Sequence, residues 1–148
     1  MAHVRQQIRE AFAAAVTGLT TTGARVYASR IYEIPAASLP ALRITTDEES
    51  IAWVSVHPTA TLERDISITC EAVAQAVADL DDTLDTIIGE VEVAIAADTT
   101  LGGLCGACRL ESIAIDLSAD GEAPTGRAAM RFTCRTYTLS NAPSAAIT

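Results

Sequence analysis

The sequence predicts an α+β fold: a mainly antiparallel β-sheet of about four to five strands, two α-helices packed on one face, and a projecting hairpin or long loop. Two periodicities carry this prediction. Apolar residues recur at helical spacing in two segments and alternate with polar residues in several others. The 148 residues fit one domain, and a hydrophobic fraction of 49% is too high for a disordered chain.

The charge balance excludes two classes of partner. The chain has a formal net charge of −9, and all ten of its basic residues are arginine. Wrapping of nucleic acid or binding to anionic lipid needs a basic face, which this composition does not favour. No stretch reaches the roughly 18 consecutive apolar residues of a membrane span, so we expect no membrane partner. Residues 11–19 fit an amphipathic helix better than the core of a signal peptide, so we expect a cytoplasmic place of synthesis.

The first elements are a helix, a short strand and a loop. An apolar stripe at spacings of three and four predicts an amphipathic helix over residues 3–17, formed by Val4, Ile8, Phe12, Ala15 and Val16. Gly18 ends this helix. Residues 25–29 resemble a short strand, and the prolines in residues 34–40 keep that segment out of a sheet.

The next segment predicts a projecting hairpin followed by a long strand. Residues 41–46 form one extended arm, residues 47–50 an acidic turn, and residues 51–56 a second arm. From Leu62 onward a period of two predicts an antiparallel strand with one solvated face. Its apolar face is interrupted by Arg64 and otherwise contains Leu62, Ile66, Ile68, Cys70 and Ala72.

Residues 79–97 predict the second helix, whose apolar stripe consists of Leu80, Leu84, Ile87, Ile88, Val91 and Ile95. Its first turns are acidic, which the helix dipole favours. The acidic residues also resemble a calcium-binding loop, but Leu84 occupies the position at which such a loop needs glycine. We therefore interpret them as helix N-terminal charges.

The C-terminal part predicts a hairpin and a tail. Apolar and polar residues alternate over 109–117 and again over 127–139, with turn residues between the two segments. The pattern ends there. We accordingly expect one domain over residues 1–139 and a flexible C-terminal tail over residues 140–148.

No catalytic or metal site is predicted, and we expect neither enzymatic activity nor a cofactor. His3 lies at the start of the chain and His57 precedes a proline, and neither has a nucleophile at a recognisable spacing. Cys105 and Cys108 form a CxxC motif, whereas Cys70 and Cys134 are single residues within strand patterns. We interpret all four as small buried thiols, with metal binding or redox chemistry as the alternatives.

Several runs of sequence resemble the tail terminator family (minor tail protein U-like) of long-tailed bacteriophages. They extend over nearly the whole chain, and they are residues 26–27, 39–42, 62–68, 79–85 and 94–104, with Tyr137 near the end of the last strand. The helix end that leads into Gly102-Gly103 is the most specific of them. The CxxC motif departs from the family pattern.

The resemblance implies a structural virion protein with a tail-terminator-like domain over residues 1–139. Members of this family form a homohexameric ring at the head-proximal end of the tail. The ring stops polymerisation of the major tail tube protein, docks the head-side connector or stopper protein, and lets DNA pass without specific binding. Phages, gene transfer agents and prophages all carry such proteins. The alternatives are another head–tail joining or tail-completion protein and, from another class, a small Cys-dependent metal or redox protein.

A ring needs two different surfaces on each subunit. We predict that the projecting arm supplies one surface and that strand arginines of a neighbour supply the other. The candidate residues are Asp47, Glu48, Glu49, Ile51, Trp53 and Val54 on the arm, and Arg131 and Arg135 on the strand. The alternative is that Trp53 is a core residue and the arginines form a solvated strand face.

Overall fold

The computed structural model describes residues 1–29, 32–56, 59–76, 78–119 and 124–147. Their helices and strands are α1 (Val4–Ala15), β1 (Val26–Ala28), β2 (Ala41–Trp53), β3 (Thr61–Gln75), α2 (Leu80–Ala97), β4 (Ala107–Ser118), β5 (Thr125–Leu139) and β6 (Ala142–Ile147). A single 3₁₀ turn, Ala36–Ser38, lies in the proline-containing loop. The fold is α+β, as predicted, and the sheet has six strands in the described residues.

The sheet has the strand order β1-β2-β3-β5-β4. Strands β3 and β5 form its centre and pair in antiparallel register from Thr61 opposite Leu139 to Gln75 opposite Thr125. Strand β1 is short and runs parallel to the first part of β2, whereas the other neighbours are antiparallel. Strand β4 therefore forms one edge of the sheet. The other edge is formed by β1 along the first part of β2, and by β2 itself over the rest of its length.

Both helices contribute to one hydrophobic core with the sheet. The even-numbered residues of β3 and β5 face this core, because side chains alternate between the two faces of a strand. Phe12 of α1 meets Phe132 of β5 edge-to-face, with their ring centroids 5.0 Å apart. The predicted helix stripes are buried at Val4, Ile8, Phe12 and Val16 and at all six positions of α2, whereas Ala15 is half-buried. Helical spacing therefore identified all but one of these core residues.

Gly126 allows the start of α2 to lie close to β5. A Cβ atom at this position would lie 2.8 Å from Leu84 Cδ1 and 3.1 Å from the Cδ2 atoms of Leu80 and Leu117. Any larger residue would push against these three leucines. The glycine therefore brings the N-terminal turns of α2 against the sheet beside β4.

The prediction of an acidic turn at residues 47–50 is wrong. Strand β2 continues from Ala41 to Trp53, and its register with β3 shifts between Thr46 and Glu49. The two intervening acidic residues form a β-bulge, which adds residues to one strand without reversing the chain. The reversal lies beyond Trp53, so the hairpin is formed by β2 and β3.

Most of the segment expected to be a flexible tail, residues 140–148, forms a strand in the described residues. Residues 142–147 form β6, which pairs with β5 at Tyr137 and Leu139, beyond the point where β4 begins opposite Arg135. The Nε2 amide of Gln7 in α1 donates to the backbone oxygen of Ser144 at 2.7 Å. Hydrogen bonds from the backbone and from the Gln7 amide hold this segment. Because these bonds need no apolar pattern, the sequence did not predict a strand here.

Candidate functional site

The outer end of the β2–β3 hairpin exposes four large apolar side chains, which we call the hairpin patch: Ile51, Trp53, Val54 and Val56. Trp53 is 63% exposed and is not a core residue of the single chain. Isolated apolar residues are ordinary on a protein surface, but a contiguous group that includes tryptophan is typical of an interaction site.

The three acidic residues of the predicted arm have different environments. Asp47 lies on the sheet face away from the core, where the hydroxyl of Thr69 donates to its carboxylate. Glu48 is exposed. Glu49 lies opposite Ile66 on the core face, because the bulge changes the side to which β2 residues point. Only the first two carboxylates are therefore accessible to another molecule.

Glu49 forms a buried ion pair with Arg64, the residue that interrupts the apolar face of β3. Arg64 Nη1 lies 2.6 Å from Glu49 Oε2, and both side chains are 7% exposed. Arg64 Nε also donates to the hydroxyl of Thr138 at 2.9 Å, and Arg5 Nη1 reaches Glu49 Oε1 at 3.3 Å. This network fastens α1 to the sheet, so Glu49 has a role within its own chain.

Arg131 and Arg135 lie on the sheet face that is opposite the core, and both have carboxylate partners in their own chain. Arg135 donates to both carboxylate oxygens of Asp65, at 2.7 and 2.9 Å. Arg131 lies 3.9 Å from the Asp47 carboxylate. Both side chains remain half-exposed. These arginines therefore form a cross-strand charge ladder instead of a free basic surface.

The pKa of the Asp65 carboxyl is lowered because Arg135 donates hydrogen bonds to its charged form. The pair therefore contributes to stability above the ordinary carboxyl pKa, and this contribution is lost as the pH falls through the lower folded-state pKa. We expect carboxyl NMR titration to give a low pKa for Asp65, and Arg135→Gln to return it towards its ordinary value. Arg131→Gln is the matched control. An unchanged Asp65 pKa in Arg135→Gln would contradict this assignment.

A second exposed apolar surface lies on the free edge of the sheet, and we call its residues Ile113, Ile115 and Leu117 the edge patch. They lie opposite Met130, Ala128 and Gly126 of β5 and so belong to the core-facing side of the sheet. Each is 39–51% exposed. No strand of the described residues pairs with the outer side of β4. Its backbone groups and apolar side chains can therefore both contact another chain.

The sequence predicted the alternation of Ile113, Ile115 and Leu117 but not their exposure. A period of two distinguishes the faces of a strand, and it carries no information about whether the strand is central or at an edge. The register of β4 with β5 shifts between Leu110 and Ser112, as the register of β2 with β3 does at the bulge. Strand order is needed to recognise the edge patch.

The described residues contain no group of three His, Cys, Asp or Glu side chains arranged to hold a metal ion. His3 lies at the N-terminus of α1, where its Nδ1 accepts from the backbone N–H of Arg5 at 3.0 Å. Burial and the nearby charges of Arg5 and Arg64 lower the pKa of His3. His57 lies outside the described residues. No helix in the described part of the chain has the length and apolar character needed to cross a membrane.

Comparisons with known proteins give no sequence match and a structural similarity to a virion chain. No protein-family model matches it, and no curated protein matches its sequence. Among solved structures, it is similar to a chain of the "Virion of native gene transfer agent (GTA) particle". The two chains are 18% identical, 92% of each is covered, and the TM-score is 0.37. The exposed surfaces and the sequence resemblance are therefore the basis for a proposed function.

Proposed function

We propose that this chain is a structural virion protein that forms a homohexameric ring at the head-proximal end of a phage-type tail. In this role the ring caps the tail tube, stops its polymerisation and presents a docking surface to the head-side connector. The resemblance to tail terminators supports the role. The single structural observation that supports ring formation is the arrangement of the two apolar surfaces.

The hairpin patch and the edge patch lie at diagonally opposite corners of the sheet. Trp53 pairs with Leu62 at one end of β3 and belongs to the β2 side of the sheet. Leu117 pairs with Gly126 near the other end of β5 and belongs to the opposite edge. Two different surfaces on opposite sides favour a head-to-tail contact, which closes into a ring when the rotation between subunits permits.

The edge patch replaces Arg131 and Arg135 as the proposed receiving surface. The two arginines are already paired with Asp47 and Asp65 of their own chain, so an acidic arm would have to displace these partners. The edge patch is apolar and matches the chemistry of the hairpin patch. Apolar burial supplies the attraction, and Trp53 is the residue type that contributes most at such contacts.

The charge of such a ring fits passage of DNA through its centre. Six chains of net charge −9 carry −54 in total. An acidic channel repels phosphate groups, whereas contacts from basic residues would hold the duplex. We infer that the lining of the ring is acidic. A net basic lining in the structure of the hexamer would contradict this part of the proposal.

The first test is the mass of the protein in solution. We expect native mass spectrometry to give 93 kDa, which corresponds to six chains of 15.5 kDa. Trp53→Ala should remove about 2 kcal/mol or more from each contact and give monomers, because every subunit loses the same anchor. Val93→Ala is the matched control, since Val93 is 73% exposed on α2 and lies outside both patches. A monomeric wild-type protein, or a hexamer that persists in Trp53→Ala, would refute the arrangement.

A mixing experiment tests the head-to-tail geometry. Ile115→Asp should also give monomers, because it places a charge in the edge patch. Each variant keeps one intact surface, so a mixture of Trp53→Ala and Ile115→Asp should form dimers of about 31 kDa, twice the chain mass. If the hairpin patch instead contacts another hairpin patch, Ile115→Asp keeps the wild-type mass alone, and Trp53→Ala stays monomeric in the mixture.

A further inference from the structure

Three of the four cysteines lie together at the start of β4. Cys105 precedes the strand, Cys108 lies on it, and Cys134 lies on β5, and all three are buried. Cys108 and Cys134 are directly opposite each other in the antiparallel register, with their Sγ atoms 2.6 Å apart. Cys70 belongs to β3 and lies opposite Met130. The closest thiol pair is therefore formed across two strands and not within the CxxC motif.

The backbone at this pair suits a cross-strand disulfide. Cys108 donates its backbone N–H to the oxygen of Thr99 at 2.7 Å, on the side of β4 away from β5. Cys108 and Cys134 are thus a non-hydrogen-bonded pair, for which the Cα atoms lie about 4.5 Å apart. Disulfides bridge Cα atoms separated by about 4.4–6.8 Å. Neither strand has to move for the bond to form.

A small cavity of about 160 Å³ opens beside Cys108. Its lining includes Ile95 and Thr99 at the end of α2 and Phe132 on β5. A water molecule occupies about 30 Å³ in the liquid, so the cavity has space for a molecule as small as hydrogen peroxide. Cys108 lines the cavity, whereas Cys134 is fully buried behind it.

We propose that Cys108 and Cys134 form an oxidation site that closes to a disulfide in the presence of a peroxide. The Cys108 sulfur attacks one peroxide oxygen, the O–O bond breaks, and hydroxide leaves, which gives a sulfenic acid. The Cys134 sulfur then attacks the Cys108 sulfur and expels a second hydroxide. The two thiol protons convert the hydroxides into two water molecules. The two thiols lose two electrons, and the peroxide gains them.

The disulfide would pin the edge strand to the sheet. It closes a loop from residue 108 to residue 134, which contains the edge patch on β4. Such a loop restricts the unfolded chain strongly, and for a domain of this size we expect the Tm to rise by about 10 °C. The reduced protein formed in a cytoplasm would become more stable when it meets an oxidising environment.

Peroxide treatment of the full chain tests the proposal. Titration of thiols in denaturant should fall from four to two. Tryptic digestion should then join peptide 65–109 to peptide 132–135, with the loss of two hydrogens. Fragmentation between residues 105 and 108 locates the bond in the wild-type protein, whether or not any variant folds. Four remaining thiols, or a bond from residue 105, would overturn the assignment.

Three variants provide matched comparisons. Cys108→Ala should abolish both the cross-linked peptide and the rise in Tm, whereas Cys105→Ala should retain both. Cys70→Ala is the control for a buried thiol elsewhere, because Cys70 lies opposite Met130 and outside the Cys108–Cys134 pair. Persistence of the same cross-link in Cys108→Ala would exclude this pair.

Discussion

Glu49→Leu should lower the free energy of unfolding by about 3–5 kcal/mol, because it leaves the charge of Arg64 buried without its partner. The Arg64 side chain is buried, and the hydroxyl of Thr138 cannot neutralise its charge. Urea denaturation monitored by circular dichroism measures the change. The loss should appear as a lower midpoint with an unchanged slope, because the substitution leaves the amount of surface exposed on unfolding nearly the same as in the wild type.

Two variants make this result specific. Glu48→Ala changes the adjacent acidic residue, which is exposed, and should alter stability by no more than about 0.5 kcal/mol. The double variant Glu49→Leu/Arg64→Met replaces the ion pair with apolar side chains and should recover most of the lost stability. A larger loss in Glu48→Ala than in Glu49→Leu would contradict the bulge geometry, because without the bulge the alternation that buries Ile44 would place Glu48 on the core face.

Phe12→Ala should lower the free energy of unfolding by about 3–5 kcal/mol, because it leaves a cavity between α1 and the sheet. Phe12 is fully buried and packs edge-to-face on Phe132. For a chain of this length the corresponding fall in Tm is about 10 °C or more. Differential scanning calorimetry measures it directly.

The aromatic contact can be separated from the cavity. Phe12→Leu fills much of the space and should cost clearly less than Phe12→Ala. A cycle of Phe12→Leu and Phe132→Leu should give a coupling of about 0.5–1.5 kcal/mol, the usual value for an aromatic pair. A Phe12→Ala variant with wild-type stability would show that α1 does not pack on the sheet in solution.

Periodicity in the sequence identified the helices, because the spacing that places apolar residues on one face of a helix is a property of the local sequence. The stripe from Leu80 to Ile95 repeats at spacings of three and four, so one face of α2 is apolar before any tertiary contact is considered. The long alternation that begins at Leu62 determined the faces of β3 in the same way. Arg64 already departed from that alternation, and its ion pair with Glu49 explains the departure.

The bulge in β2 was beyond the reach of the same reasoning. Consecutive acidic residues between two apolar arms are typical of a turn, yet here Asp47 and Glu48 remain within the strand. Whether such residues reverse the chain or form a bulge depends on the partner strand and its register. Strand β6 illustrates the same limit, because its hydrogen bonds to β5 and Gln7 are made by distant residues.

The sequence by itself determined the fold class, the core residues of the helices and the faces of the long strands, since each follows from spacing along a few turns or residues. Only the tertiary structure decided which strand is an edge and which thiols meet. Ile113 has the alternation of a core residue and is exposed because β4 is last in the sheet. The CxxC motif suggests that Cys105 is the partner of Cys108. Antiparallel pairing instead places Cys108 against Cys134, a residue 26 positions away in the sequence.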